Sequence, residues 1–508
     1  MSKHQLRSGV LLSYLNLALG MIIPFFYTPV MLGYLGQAEY GLYSLSSSAV
    51  SYLSLLSFGF GSTIIRYIAK YRAEGDRPGE ERAFGFFLML YMLMAAASVI
   101  LGFVISANVE HIFSESLTAP EQKKMKVLVL LMACSTAIAF PISVFSAVIA
   151  AHERFICEKT LNILATAAGP LANLAALWMG YSSVGMVLAG LIMQTVFLFP
   201  KAIYCFRNIG VRPRFSGVPK GLVREMFVFS FFTFLATLVD LLFWATDKVI
   251  LGMLVGTTAV AIYNMGGTFN SIVMGLSTSV SGLLVPRITA MAVTQTKKSE
   301  WTALFIRIGR LQFIIIGLVV SGFSVFGRTF LGLWVGADYL DAFWVAVLTL
   351  FPLCIPLIQN TGVCILTAQN KHRFRSVVYL LIAIVNIVTT WLAVPKWGYI
   401  GAAFCSCVAY LLGQGLIMNL YYHRVTGLDI PLFWKNIVKM SVVPAGMMAV
   451  GLWLIGRFPI TDWLMFFVSV AAYTGIYALL MYRFSLNGYE KDMLRKPLVK
   501  LLRRRDAN

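Results

Sequence analysis

The sequence predicts an all-α integral membrane protein of about 14 transmembrane helices. They form two six-helix lobes related by a parallel internal repeat around a central cleft, plus two C-terminal helices. Three observations carry this expectation. The 508 residues are 59% hydrophobic and only 12% charged, about half the roughly 25% charged content of a soluble chain, and the mean hydropathy is +0.80. The apolar residues fall in runs of about twenty, the length at which a helix crosses roughly 30 Å of hydrocarbon. Several short patterns also recur, in the same order, in the two halves of the chain.

The first span is read at 10–32. Lys3 and Arg7 precede it like the charged region of a signal peptide. The apolar run is too long for a signal core, however, and no small-x-small cleavage site follows, so the segment is expected to be retained. The second span, 41–65, ends against "KYRAEGDRPGEER", and spans 3 to 6 follow at 84–107, 127–150, 160–179 and 184–206. The basic stretch "RNIGVRPRFSGVPKGLVR" then separates span 7 at 226–250, which is followed by spans 8 to 10 at 259–285, 308–327 and 344–367. After "NKHRFR" come spans 11 to 14 at 377–394, 399–421, 437–456 and 463–481. The domains follow: an N-terminal lobe over 1–210, a C-terminal lobe over 211–425, two further helices in 426–482 and a basic tail over 483–508.

An even number of spans puts both termini on one side. That side carries 34 of the 41 Lys and Arg residues, and the opposite face holds the other 7. Lys/Arg bias in short loops sets orientation, so both termini are expected in the cytoplasm. The net charge of +20 is then mostly topological, and the tail is placed to touch anionic lipid head groups. Nucleic-acid binding is not expected, because the loops leave no soluble domain to perform it. The seven cysteines lie within or beside spans with no paired loop spacing and read as small apolar helix residues.

The repeat is the most informative organisation. "VMLGYLGQAEYGLY", ending at Tyr43, matches "VILGMLVGTTAVAIY", ending at Tyr263. "NLAALWMGYSSVG" from Asn173 and "NIVTTWLAVPKWG" from Asn386 share Asn-x4-Trp-x6-Gly at an offset of 213. "FPISVF" at Phe140 answers "FPLCIP" at Phe351, and "HERF" ending at Phe155 answers "KHRF" ending at Phe374. Six spans per repeat keep corresponding helices in the same orientation, the arrangement that encloses a substrate path in secondary transporters.

"LVDLLFWATDKVILG" puts Asp240, Asp247 and Lys248 in span 7. A charge near mid-membrane costs roughly 2.5–3.5 kcal/mol on insertion scales, so it calls for a functional reason. Seven residues apart, the two aspartates are expected on nearly one helix face, about 10.5 Å apart along the axis. Asp247 and Lys248 also fit a plain interfacial pair near the exported end. Among the cations, Arg66 and Arg287 occupy matched repeat positions, and Arg307 and Arg310 enter span 9. A guanidinium fork suits phosphate, while positive-inside anchoring is the plainer role for all four. Pro24, Pro141, Pro352 and Pro356, with "FGFG" at Phe58–Gly61, mark points where helices bend. No GxxxxGK[ST] phosphate loop and no HExxH motif occurs, so neither ATP hydrolysis nor a metal or other cofactor is expected. No catalytic residue is assigned.

"LGQAEYGLYSLSSSAVSYLSLLSFGFGSTIIRYIAKY" together with "DKVILGMLVGTTAVAIYNMG" resembles the polysaccharide-transport flippases of the multidrug/oligosaccharidyl-lipid/polysaccharide exporter superfamily. The resemblance covers nearly the whole chain. It implies a non-enzymatic function: moving an undecaprenyl-diphosphate-linked oligosaccharide, such as an O-antigen repeat unit, across the bacterial inner membrane. The products would be lipopolysaccharide or exopolysaccharide. On that expectation Arg66, Arg287, Arg307, Arg310 and Lys248 contact the diphosphate or glycan. Asp240 and Asp247 couple movement to H+ or Na+, since a carboxyl in a low-dielectric cleft exchanges protons near neutrality. Membrane lipids and other polysaccharide-assembly membrane proteins are the remaining candidate partners. The rival readings are a multidrug and toxin extrusion-type cation antiporter, a peptidoglycan-precursor flippase, a glycan polymerase or ligase, and a membrane scaffold.

Overall fold

Helix is the only regular structure among the described residues, as a chain that must satisfy its backbone inside lipid requires. The computed structural model describes residues 3–215, 222–282, 288, 290–291, 297–369 and 372–493. The protein is an all-α integral membrane protein. Among the described residues, ten helical stretches are long and apolar enough to cross a membrane, beside the fourteen spans expected from the sequence. Two of the ten, Leu11–Glu74 and Phe374–Thr426, run for 64 and 53 residues, more than twice the roughly 20 that one crossing needs.

Each of those long stretches contains a glycine kink. Helix α1 (Lys3–Ser51) joins two helices across Gly36, where φ is 72° and ψ is 172°. A later helix, His372–Tyr410, does the same across Gly398, with φ 52° and ψ −138°. Only glycine adopts such values without steric cost. The "FGFG" stretch also breaks the helix. A 3₁₀ turn at Tyr52–Ser57 leads into Phe58 and Gly59, both left-handed at φ 48° and 68°, before α2 (Gly61–Glu74) begins.

The chain packs as two units. The first comprises the chain up to Asn264 together with 383–402. It contains α1, α2, α3 (Arg77–Ile112), α4 (Ala119–Ala151), α5 (Phe155–Trp178), α6 (Ser183–Ile203), α7 (Leu222–Trp244) and α8 (Thr246–Leu254). Asp76 starts α3 by accepting the Gly79 N–H at 2.9 Å, and Thr118 with Glu121 forms a capping box on α4. Both caps satisfy orphan donors of the first helical turn. Helices α3 and α4 pack along each other, with Phe84 edge-on to Phe145 and Tyr91 edge-on to Phe140. Lipid tails are as apolar as leucine, so close packing rather than water exclusion holds these helices together.

Helix α9 (Thr257–Gly282) carries the chain from the first unit into the second. That unit, 265–382 and 403 onward, holds α10 (Lys298–Trp334), α11 (Ala342–Ile358), α12 (Asn360–Ala368), the ends of α13 (His372–Tyr410), α14 (Ile430–Arg457) and α15 (Trp463–Leu480). Helix α10 packs on α11 and α14, with Phe305 4.7 Å from Phe433 between ring centres. Helix α15 closes on α10 through Phe326 and Tyr473 at 5.4 Å and through the Tyr477 hydroxyl, which donates to the Ile314 carbonyl at 3.0 Å. These units follow packing, whereas the division expected at 210/211 follows the sequence repeat.

Candidate functional site

The charges in span 7 lie in different surroundings. Helix α7 ends at Trp244, Ala245 departs to φ −101°, and α8 restarts at Thr246. Asp240 is exposed on α7, whereas Asp247, in the first turn of α8, has no exposed surface. Burial sets aside the interfacial-pair reading for Asp247.

Asp247 lies in a built polar cluster of the first packing unit. The Tyr263 hydroxyl, from α9, donates to Oδ2 at 2.6 Å. Asn386 Nδ2, from the central part of α13, lies 3.5 Å from Oδ1. The neighbouring Lys248 ammonium is half-buried and donates to Asn264 Oδ1 at 2.9 Å, and Asn264 Nδ2 donates to the Tyr40 hydroxyl at 2.7 Å. One turn along α13 from Asn386, the Thr390 hydroxyl is fully buried with no hydrogen-bond partner among the described residues. A helix N-terminus further favours the carboxylate charge. One carboxylate, with neutral oxygens beside it, suits a proton or a monovalent cation. Among the described residues no group of three or more His, Cys, Asp or Glu is gathered as a metal site.

The cations are dispersed over different surroundings. Arg66 is exposed on α2, and Arg287 lies outside the described residues. Arg307 stacks over the Tyr489 ring at 3.4 Å and lines a cavity of about 620 Å³ with Lys298 and Asn436. Arg310, expected to hold phosphate, has its fork occupied. Nε and Nη2 donate to the two carboxylate oxygens of Glu490 at 2.6 and 2.7 Å, and Nη2 also donates to the Ser485 carbonyl at 2.9 Å. Their side chains are 7% and 1% exposed. Arg310 thus ties α10 to the segment after α15.

Tyr263, Asn386, Asn264, Tyr40 and Thr390 were not assigned from the sequence. A signal existed for two of them, since Tyr263 and Asn386 are anchor residues of the repeat patterns.

The comparisons with known proteins agree on fold and family. The chain is 20% identical over 440 residues to the uncharacterized membrane protein EpsK of Bacillus subtilis (strain 168), covering 83% of each. Its fold is similar to the lipid II flippase MurJ in an inward closed conformation. The TM-score is 0.73 at 15% identity, covering 94% of this chain and 98% of that one. It is also similar to an inward-facing multidrug resistance MATE family transporter of the MOP superfamily, with a TM-score of 0.59 at 14% identity, covering 83% and 98%. The model of the polysaccharide biosynthesis protein family matches residues 6–292, more than half of the sequence. A multi-pass helical membrane protein of transporter fold, this chain belongs to the polysaccharide biosynthesis protein family.

Proposed function

We propose that the protein is a flippase that moves an undecaprenyl-diphosphate-linked oligosaccharide from the cytoplasmic to the outer leaflet of a bacterial inner membrane. The observation that carries the reading is a polysaccharide-biosynthesis sequence family on a fold shared with a lipid-linked precursor flippase. Both termini face the cytoplasm in this reading. The diphosphate and glycan are too polar to cross hydrocarbon unaided, and the polyprenyl tail stays in lipid while the head group crosses. Arg66 contacts the diphosphate at the cytoplasmic end of its span, and Lys248 contacts the substrate from the opposite mouth. Arg307 is a second contact, and Arg287 shares the role of Arg66 by repeat position. Arg310 serves instead as the partner of Glu490.

Asp247 is the coupling group. Its support is complete burial inside a hydrogen-bonded cluster. Binding a proton or Na+ neutralises the carboxylate, which removes the main cost of moving it through low dielectric. Asp240, exposed on α7, acts as an accessory acid. A second reading, transport of a peptidoglycan precursor, draws on the higher fold similarity to MurJ than to the MATE transporter.

Deleting the gene and analysing lipid-linked sugars by leaflet tests both readings. An oligosaccharide-lipid trapped in the inner leaflet supports the first, and a trapped peptidoglycan precursor supports the second. An unchanged glycolipid pool with altered drug resistance contradicts both.

A further inference from the structure

The two repeat-matched pairs, Tyr43 with Tyr263 and Asn173 with Asn386, build two sites of different chemistry. In the second repeat, tyrosine and asparagine converge on Asp247. In the first, Tyr43 and Asn173 line a separate cavity of about 310 Å³ within the first packing unit, among α1, α4, α5 and α6. Its other polar walls are Ser47, Ser51, Ser135, Thr136 and Gln194, and no lining residue is charged. The repeat alignment puts Thr28 where the second half has Asp247. The Asp247 site thus holds a carboxylate with the Lys248 ammonium beside it, and its counterpart holds no charge.

The neutral pocket is organised for hydrogen bonding. The Ser135 hydroxyl donates to Gln194 Oε1 at 2.7 Å, and the Thr136 hydroxyl donates back to Met132 O at 3.0 Å. The buried Oδ1 of Asn173 has no hydrogen-bond partner among the described residues. A buried acceptor left unmade is costly, and native interiors leave few of them without a role. Gly190 stands opposite that oxygen, where an added Cβ would lie 3.6 Å from it.

Carboxamides that donate and accept side by side match neighbouring hydroxyl groups, serine and threonine hydroxyls turn to suit either role, and the face of Tyr43 suits ring C–H groups. A compact ion would find no counter-charge here. The volume, at the lower end of the range for small-ligand sites, suits one ring rather than a lipid or a whole glycan.

We infer that this pocket of the N-terminal repeat binds one uncharged, hydroxyl-bearing sugar ring of the transported head group. The inference rests on the flippase reading for its physiological ligand, but binding can be measured without transport. The full-length protein in nanodiscs is titrated with free glucose, galactose, mannose, rhamnose and N-acetylglucosamine, and with glucuronate and galacturonate, using saturation-transfer NMR. At least one neutral pyranose binds saturably, and the uronates bind about tenfold more weakly or not at all, because a carboxylate finds no cation in the pocket. Ser47→Ala and Asn173→Ala each weaken neutral-sugar binding about tenfold, and Gly190→Leu abolishes it. Ser47→Ala, on a half-open helix face, keeps the wild-type melting temperature and serves as the folding control.

Absence of binding by every neutral pyranose overturns the inference. So does uronate binding as tight as neutral binding, displacement of the sugar by NaCl, or binding indifferent to all three variants. Failure of the flippase reading looks different: sugars bind as described, but no glycolipid moves in proteoliposomes. If glycolipid moves while the pocket variants leave binding and transport unchanged, only the pocket assignment falls.

Discussion

Replacing Asp247 by asparagine isolates the coupling role, because Asn keeps the volume and an acceptor for the Tyr263 hydroxyl while removing the charge. Asp247 is the one carboxylate in its cluster, so it accounts for one elementary charge per transport cycle. Moving one charge through 100 mV is worth about 2.3 kcal/mol, which corresponds to roughly 50-fold in a concentration ratio. The assay uses proteoliposomes holding a labelled diphosphate-linked oligosaccharide lipid, with an imposed potential of about 100 mV, read as the steady-state ratio between leaflets. The substrate's own charge contributes equally in both proteins and cancels in their comparison. The wild-type ratio should exceed that of Asp247→Asn by up to about 50-fold. The variant should still equilibrate the lipid between leaflets when no gradient is applied. Equal ratios for the two proteins under the same potential would refute the role assigned to Asp247.

Three further outcomes follow from the same geometry. Glu490→Gln leaves Arg310 charged and buried without its counter-ion, a loss of roughly 3–5 kcal/mol. It should lower the melting temperature, and the Arg310→Met/Glu490→Leu double variant should recover much of that loss; a melting curve for Glu490→Gln that overlays wild type contradicts the pairing. At Gly41 an added Cβ would lie 1.9 Å from the Thr257 carbonyl oxygen, backbone that cannot step aside. Gly41→Ala should therefore destabilise by about 1–3 kcal/mol or more, while Gly33→Ala, with nothing within 4 Å, should be tolerated in size-exclusion and melting profiles. Arg66→Ala should raise the KM for the glycolipid about tenfold, as expected for a charged hydrogen bond, with Arg66→Lys intermediate; an unchanged KM removes Arg66 from the binding set.

Much of the fold was legible because lipid forces long apolar runs, and these are visible without coordinates. The glycine kinks were partly legible. "FGFG" stood out as a double glycine, whereas Gly36 and Gly398 are single glycines whose positive φ shows only in the backbone. The site was read less completely. Asp247 announced itself as a charge amid apolar residues, but spacing alone does not say that Asp240 is exposed while Asp247 is wholly buried. Arg310 resembled a phosphate ligand because its partner Glu490 lies 180 residues away, beyond any local pattern. Tyr263 and Asn386 were visible as repeat anchors, yet repetition reports common ancestry of position, and only packing reveals that both converge on one carboxylate.

The most direct measurement of the central claim reconstitutes the purified protein in liposomes carrying a diphosphate-linked oligosaccharide lipid and follows which leaflet exposes the glycan to a membrane-impermeant lectin. Protein-dependent transfer of the glycan between leaflets, with no movement of an organic cation such as ethidium, is the predicted result. Glycan exposure no faster than in protein-free liposomes, or ethidium transport with a stationary glycolipid, would contradict the account.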